Sequence, residues 1–220
     1  MRNRFDEQLL QLNVELIKMG SLCELAISNA FHGLMEHNPS MLKLVTDVDH
    51  EIDEKEKEIE RMCLRLLLQQ QPVARDLRTI SAALKMISDL ERIGDQASDI
   101  AEIAEYIDGK KVKAYEPLKV MADAVTKMVT DAIKSFVNKD LQLAHKVMTD
   151  DDFVDEAFEK VKEDIVAMIR EGEVSAHFTL DLLMIAKYLE RIGDHAVNVA
   201  EWVEFSITGE HLSDELRAQE

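Results

Sequence analysis

The sequence predicts an all-α protein, a tandem repeat of two antiparallel three-helix bundles with six long helices in all. Three observations predict it. Turn formers and aromatics are scarce: 220 residues hold 7 glycines and 3 prolines, and aromatics make up 5%, a composition poorly matched to any sheet. Apolar residues recur every three or four positions through long segments, the period of a buried helix face. A block of the first half also returns in the second, where Leu90-Glu91-Arg92-Ile93-Gly94-Asp95 reappears as Leu189-Glu190-Arg191-Ile192-Gly193-Asp194. The offset is 99 residues, counted from Glu91 to Glu190. Self-similarity at that distance marks a duplicated unit.

The prolines divide the first half. Proline is tolerated in the first turn of a helix and costs about 3 kcal/mol inside one. Pro39 and Pro72 therefore open the second and third helices, and Pro117 opens the fourth. The first helix is expected over Phe5–Phe31, with Leu9, Leu12, Leu16, Met19, Cys23, Ala26 and Ala30 along its apolar face. The second is expected over Pro39–Leu68 and the third over Val73–Ile107, ended by Asp108-Gly109 with glycine as a left-handed cap. In the second half, helices are expected over Glu116–Val137, Leu141–Arg170 and Ser175–Ser206. Asn138-Lys139-Asp140 and Glu171-Gly172 make the turns between them. The short connections force sequential helices to lie antiparallel. The bundles are assigned to residues 1–112 and 113–208, with a polar tail at 209–220.

Composition excludes several functions. The net charge is −18, with no basic footprint for a nucleic acid. Such a surface suits cations or a basic protein patch, unless it serves solubility alone. Cys23 and Cys63 lie on apolar helical positions without a CxxC motif, so they read as buried free thiols of a reducing compartment. The first residues lack a signal peptide's apolar core, and no run approaches the roughly 20 apolar residues that span a bilayer. A cytoplasmic protein without membrane insertion is expected.

The acidic residues are patterned. At about 100° per residue, Glu91, Asp95, Asp99 and Glu102 fall within one narrow stripe, opposite the apolar Leu90, Ile93, Ala97 and Ile100. Asp49, Asp53, Glu56 and Glu60 form a second stripe on the preceding helix. Like charges at i, i+4 repel by a few tenths of a kcal/mol per pair, so two such stripes need a reason. Facing each other across a groove, they would hold a hard cation, since carboxylate oxygens suit magnesium, calcium, manganese or iron. Zinc also belongs among the candidates, although without cysteine a structural zinc site is disfavoured. The bland alternative is a solvated acidic face.

The second copy is a weaker version. Asp151, Asp155, Glu190, Asp194 and Glu201 keep their charge, but Asn198 stands where the first copy has Asp99. Phe158 aligns with Glu56 and Lys162 with Glu60, so this stripe is shorter and carries a positive charge. His195 beside Asp194 reads as a surface histidine, with ligation as the alternative. Gly94 and Gly193 lie mid-helix on the apolar side, where glycine costs about 1 kcal/mol relative to alanine. Close helix–helix approach is the expected reason. Arg92 and Arg191 are expected to pair with neighbouring carboxylates, and Asp76 in the first turn of the third helix suits its dipole.

Catalytic apparatus is not visible. The chain has no phosphate-binding glycine loop, no G-x-S-x-G and no H-E-x-x-H. No glutamate is followed by histidine at i+3, as a di-iron bundle would need.

The duplicated Leu-Glu-Arg-Ile-Gly-Asp segments, the Pro72-Val73-Ala74-Arg75-Asp76-Leu77-Arg78 stretch and the Asp49-to-Glu60 stripe together resemble the PhoU family over nearly the whole chain. The resemblance implies paired three-helix bundles, often dimeric. It implies multinuclear metal clusters on Glu/Asp-x-x-x-Asp motifs, here Glu91 with Asp95 and Asp99, and Glu190 with Asp194, iron being one occupant. It also implies a non-enzymatic regulator that restrains the high-affinity phosphate ABC transporter and holds the phosphate-sensing histidine kinase in its repressing state. The transporter's ATPase and the kinase would then be its partners. A two-metal phosphohydrolase and a purely structural helical scaffold are the competing readings.

Overall fold

The structure is a computed structural model. It describes residues 2–70, 72–107, 115–172 and 174–210, of which 2–4, 69 and 70 are described by backbone alone. Six α-helices make up the described chain: α1 (Arg2–Glu36), α2 (Pro39–Gln70), α3 (Ala74–Ala104), α4 (Tyr115–Asn138), α5 (Leu141–Glu171) and α6 (Ala176–Thr208).

Local chemistry sets most of the boundaries. Asn38 precedes Pro39, and its side-chain oxygen accepts from the backbone N–H of Ser40 and Met41. Asp140 caps α5 by accepting from the Leu143 N–H, and Ser175 caps α6 by accepting from that of Phe178. Side-chain oxygens of this kind satisfy donors that a helix start leaves free. Gly172 and Gly209 end α5 and α6 with φ of 67° and 85°, the left-handed conformation glycine adopts without a Cβ penalty. The end of α3 differs from expectation. It stops at Ala104 with Glu105 in right-handed geometry. The glycine cap at Asp108-Gly109 lies outside the described residues, as do the fourth-helix approach at 108–114 and the tail beyond Glu210.

In the first bundle α1, α2 and α3 pack on one another, and in the second α5 packs on both α4 and α6, which also touch. The expected apolar face of α1 is the core: Leu12, Leu16, Met19, Cys23, Ala26 and Ala30 are all fully buried. Burying one such leucine stabilises the fold by roughly 1.5–3 kcal/mol. Cys23 donates its thiol to the carbonyl of Leu90 on α3. Both cysteines are buried free thiols, and burial pushes the Cys63 thiol up to about 12.

The two bundles join through α3 against α6 and α1 against α4. That arrangement leaves α2 and α5 outermost, each covering one side of α3 or α6. Among the described residues no helix is long and apolar enough to cross a membrane.

Candidate functional site

The duplicated motif places one acidic cleft in each bundle. In the first, α2 and α3 run antiparallel, so Asp49 lies against Gly94 while Ser88, lower on α3, donates to Glu56 higher on α2. The glycine makes the cleft: a Cβ on Gly94 would stand 2.9 Å from Asp49 Oδ1 and 2.9 Å from Ile52 Cδ1. Close helix approach, through Ile52, is thus half of its role, and room for the carboxylate is the other half.

Asp49 Oδ1 is buried and has no hydrogen-bond partner. Burial first, then the charges of Asp95 and Asp53, push the Asp49 carboxyl up to about 6. Glu91 is raised by burial and by Asp95, with Glu56 and Asp53 adding to it. Asp49, Asp53, Glu56, Glu91 and Asp95 therefore share one field, as the two stripes predict. Arg92 offsets part of it, with Nη1 2.8 Å from Asp95 Oδ2 and Nε 3.5 Å from Glu91 Oε2.

The ends of the stripes behave differently. Glu60 and Glu102 are exposed. Asp99 is raised by burial and by Glu102 and Asp95, while the Tyr188 hydroxyl and Arg191 of α6 act to lower it. Asp99 therefore belongs both to the first cleft and to the seam between bundles.

The second cleft repeats the central arrangement. A Cβ on Gly193 would stand 3.0 Å from Asp151 Oδ1, which is also buried without a partner. Burial, then Asp155, Asp194 and Glu190, push the Asp151 carboxyl up to about 6. Asp194 is raised by burial and by Glu190. Lys187 replaces Ser88 here and binds Glu190 at 2.5 Å. Its ammonium also lies over the Phe158 ring, as does that of Lys162. Phe158 and Lys162 shorten the second stripe as the alignment of the repeats implies, and Lys162 pairs with Glu159 outside it. Lys187 adds a cation that the alignment of acids alone did not reveal.

Two α6 residues make contacts across the seam that the sequence did not predict. His195 is not a surface histidine: its Nδ1 lies 2.9 Å from Asp89 Oδ1, across the seam on α3. Asn198 donates its amide to the same oxygen at 3.1 Å, so its nitrogen is engaged at the seam. Glu201 is half-buried further along α6. Asp89, His195 and Asn198 on one side of the seam correspond, 99 residues apart, to Tyr188, Gln96 and Asp99 on the other. The bundles thus meet about a pseudo-two-fold axis.

Both clefts are lined chiefly by carboxylates, and each has a buried carboxylate oxygen without a partner. That donor set fits a hard cation. As the side chains stand, no three histidine, cysteine or carboxylate groups converge on one ion's shell among the described residues.

Fold and site together define a tandem helical-bundle protein with one acidic cleft per bundle. The comparisons agree with that class. The PhoU domain matches residues 16–104 and again 118–203. The Thermotoga maritima phosphate-specific transport system accessory protein PhoU homolog 1 is 36% identical over 219 residues, covering 98% of this chain and 94% of that one. The crystal structure of PhoU from Pseudomonas aeruginosa superposes with a TM-score of 0.88 at 32% identity, over 94% of this chain and all of that one. The Streptococcus pneumoniae phosphate transport system regulatory protein PhoU superposes at 0.87 with 26% identity, over 94% of this chain and 99% of that one. The chain belongs to the PhoU family, a family of accessory and regulatory proteins rather than enzymes.

Proposed function

We propose that this protein represses phosphate uptake and phosphate-starvation signalling, acting in the cytoplasm as a homodimeric adaptor between a phosphate ABC transporter's ATPase and a phosphate-sensing histidine kinase. The observation that carries this reading is the pair of PhoU domain matches, in a chain covered over 98% of its length by an accessory protein of phosphate-specific transport. Six long helices supply extended surfaces for docking, as an adaptor needs.

The reading includes a cation in the first cleft. Asp49, Asp53, Glu56, Glu91, Asp95 and Asp99 would hold it, and its charge would offset the burial and mutual repulsion that raise Asp49 and Glu91. The second cleft, with Lys187 already on Glu190, would bind more weakly.

A phosphate-regulated reporter tests the function. In high phosphate, deletion of the gene should leave the reporter on and the wild-type protein should silence it. A reporter indifferent to the gene would refute the repressor role. Complementation with Glu91→Ala/Asp95→Ala then separates the cleft from the rest of the molecule.

A further inference from the structure

The pseudo-two-fold axis gives the seam between the bundles two equivalent ends, and the chain finishes them differently. His37 and Lys139, both with positive φ, sit in the α1–α2 and α4–α5 turns 102 residues apart. The same offset pairs Asn13 of α1 with Tyr115 of α4, and Leu34 with Phe136. Between α3 and α6 the offset of 99 pairs Thr79 with Phe178, and Ile107, just past α3, stands where α6 has Ser206.

One end is packed with apolar side chains: Leu34, Ile107, Tyr115 and Phe178 are all more than nine-tenths buried. The other end is hollow. A cavity of about 280 Å³ opens among α1, α3, α4 and α6, and Asn13, Thr79 and Ser206 line it in place of Tyr115, Phe178 and Ile107. Since the fold closes one end with apolar groups, it does not itself require a polar hollow at the other. In addition, α3 begins about one turn earlier than α6, because Ala176 answers to Leu77 and α3 starts at Ala74. That extra turn brings Arg75 and Asp76 to the cavity, and the α4–α5 turn brings Lys139.

The lining has a definite chemistry. The chain holds 44 acidic against 26 basic residues, yet among the described residues no carboxylate pairs with Arg75 or Lys139. Two cations therefore face one carboxylate, Asp76. The N-terminus of α3, which no side chain caps, adds the positive end of its dipole. Thr79 Oγ1 donates to the Arg75 carbonyl and Ser206 Oγ to that of Val203, so both hydroxyls have only lone pairs left to offer a ligand.

We propose that this cavity binds a small phosphate monoester bearing hydroxyl groups, with its phosphoryl oxygens on Arg75 and Lys139 and its hydroxyls donating to Asp76, Thr79 and Ser206. A phosphate monoester carries a charge of about −1.5 to −2 at neutral pH, which two cations match and a single carboxylate does not reach. The guanidinium fork takes two phosphate oxygens at once, and the ammonium acts as a point charge. The volume equals that of about nine waters at roughly 30 Å³ each, more than a bare ion needs. This assignment rests neither on the repressor reading nor on a cation in the clefts, and its test reads neither.

Isothermal titration of the full chain tests it, at near-physiological salt and with a chelator present so that no metal bridges. The probes are glycerol 3-phosphate, ribose 5-phosphate and glucose 6-phosphate, against ribose, gluconate and inorganic phosphate. At least one ester should bind about tenfold tighter than each of those three. Arg75→Gln/Lys139→Asn changes two exposed residues, and asparagine tolerates the left-handed backbone at 139. It should weaken that ester by about tenfold or more while the thermal midpoint holds. Thr79→Phe, which installs the residue of the packed end, should fill the cavity and abolish binding. Esters that bind no better than ribose, gluconate or inorganic phosphate overturn the proposal. So does ester binding that survives Arg75→Gln/Lys139→Asn or a folded Thr79→Phe, since the anion would then lie elsewhere on the molecule.

Discussion

Asp49 Oδ1 lies 2.9 Å from the point where a Cβ on Gly94 would stand, and the branch of Ile52 crowds the same point at 2.9 Å. At Gly193 the one comparable neighbour is Asp151 Oδ1 at 3.0 Å, with Val154 back at 3.6 Å. Alanine in a helix interior is favoured over glycine by about 1 kcal/mol, whereas overpacking costs roughly 1–3 kcal/mol. Gly94→Ala should therefore destabilise the protein by about 1 kcal/mol net, and Gly193→Ala should be close to neutral. Urea denaturation of both variants checks this. Equal effects would mean that Ile52 does not matter.

The Asp49 and Asp151 carboxyls, each pushed up to about 6 from 3.8, make a pH prediction. A carboxyl that binds its proton more tightly when folded favours folding at low pH. Its contribution is lost as pH rises from about 4 to about 6 and is constant above. Thermal midpoints at fixed ionic strength should therefore fall across that window, and Asp49→Asn/Asp151→Asn should flatten the fall. Glu15 works in the opposite sense. Burial tends to raise it, but Lys55 and Lys18 hold its carboxyl net below the usual range, so its contribution is lost as pH falls through that lower value. Comparing wild type with the asparagine variant at each pH separates the two. A fall that survives both substitutions would place its origin elsewhere.

Much of this was legible in the sequence, for definite physical reasons. Helical period located all six helices, and the repeated Leu-Glu-Arg-Ile-Gly-Asp block located the equivalent positions of the two clefts. Phe158 and Lys162 gave the shorter acidic stripe of the second cleft, because aligning the repeats compares like with like. What escaped was relational. Periodicity shows which face of α6 is polar, but not which helix of the other bundle will meet it. His195 and Asn198 therefore read as cleft or surface residues, whereas Asp89 across the seam engages both. The partly buried Glu15–Lys55 pair at 2.8 Å escaped for the same reason, since its partners come from α1 and α2. At Gly94 the signal was present, a costly glycine on an apolar face, but only the geometry shows that it admits a carboxylate.

The Asp89 seam is itself testable. Asp89→Ala removes the acceptor shared by His195 Nδ1 at 2.9 Å and Asn198 Nδ2 at 3.1 Å. Leaving partly buried donors without a partner costs about 1–3 kcal/mol. The loss should appear in equilibrium denaturation. A double-mutant cycle with Asn198→Ala should return a coupling of roughly 0.5–1.5 kcal/mol. Strict additivity would show that the amide and carboxylate do not act on each other.

The inequality of the two clefts gives the last prediction. Adding a hard divalent or trivalent cation should raise the thermal midpoint, because an ion that binds only the folded state stabilises it by about 2.7 kcal/mol at a hundred times its Kd. For a chain of this size that is a rise on the order of 5–10 °C. Asp49→Asn/Asp95→Asn should remove most of the rise, because those residues sit at the centre of the cleft with the fuller set of carboxylates. Asp151→Asn/Asp194→Asn should remove little. The converse variant restores the first bundle's residues to the second: Phe158→Glu, Lys162→Glu and Lys187→Ser. It frees Glu190 from the ammonium now 2.5 Å away and adds two carboxylates to the groove. Isothermal titration should then show a second binding event of affinity comparable to the first. If the variant binds no more ion than the wild type, Lys187 and Phe158 are not what distinguishes the two clefts, and the difference would have to lie at Asp99 and its seam with Tyr188.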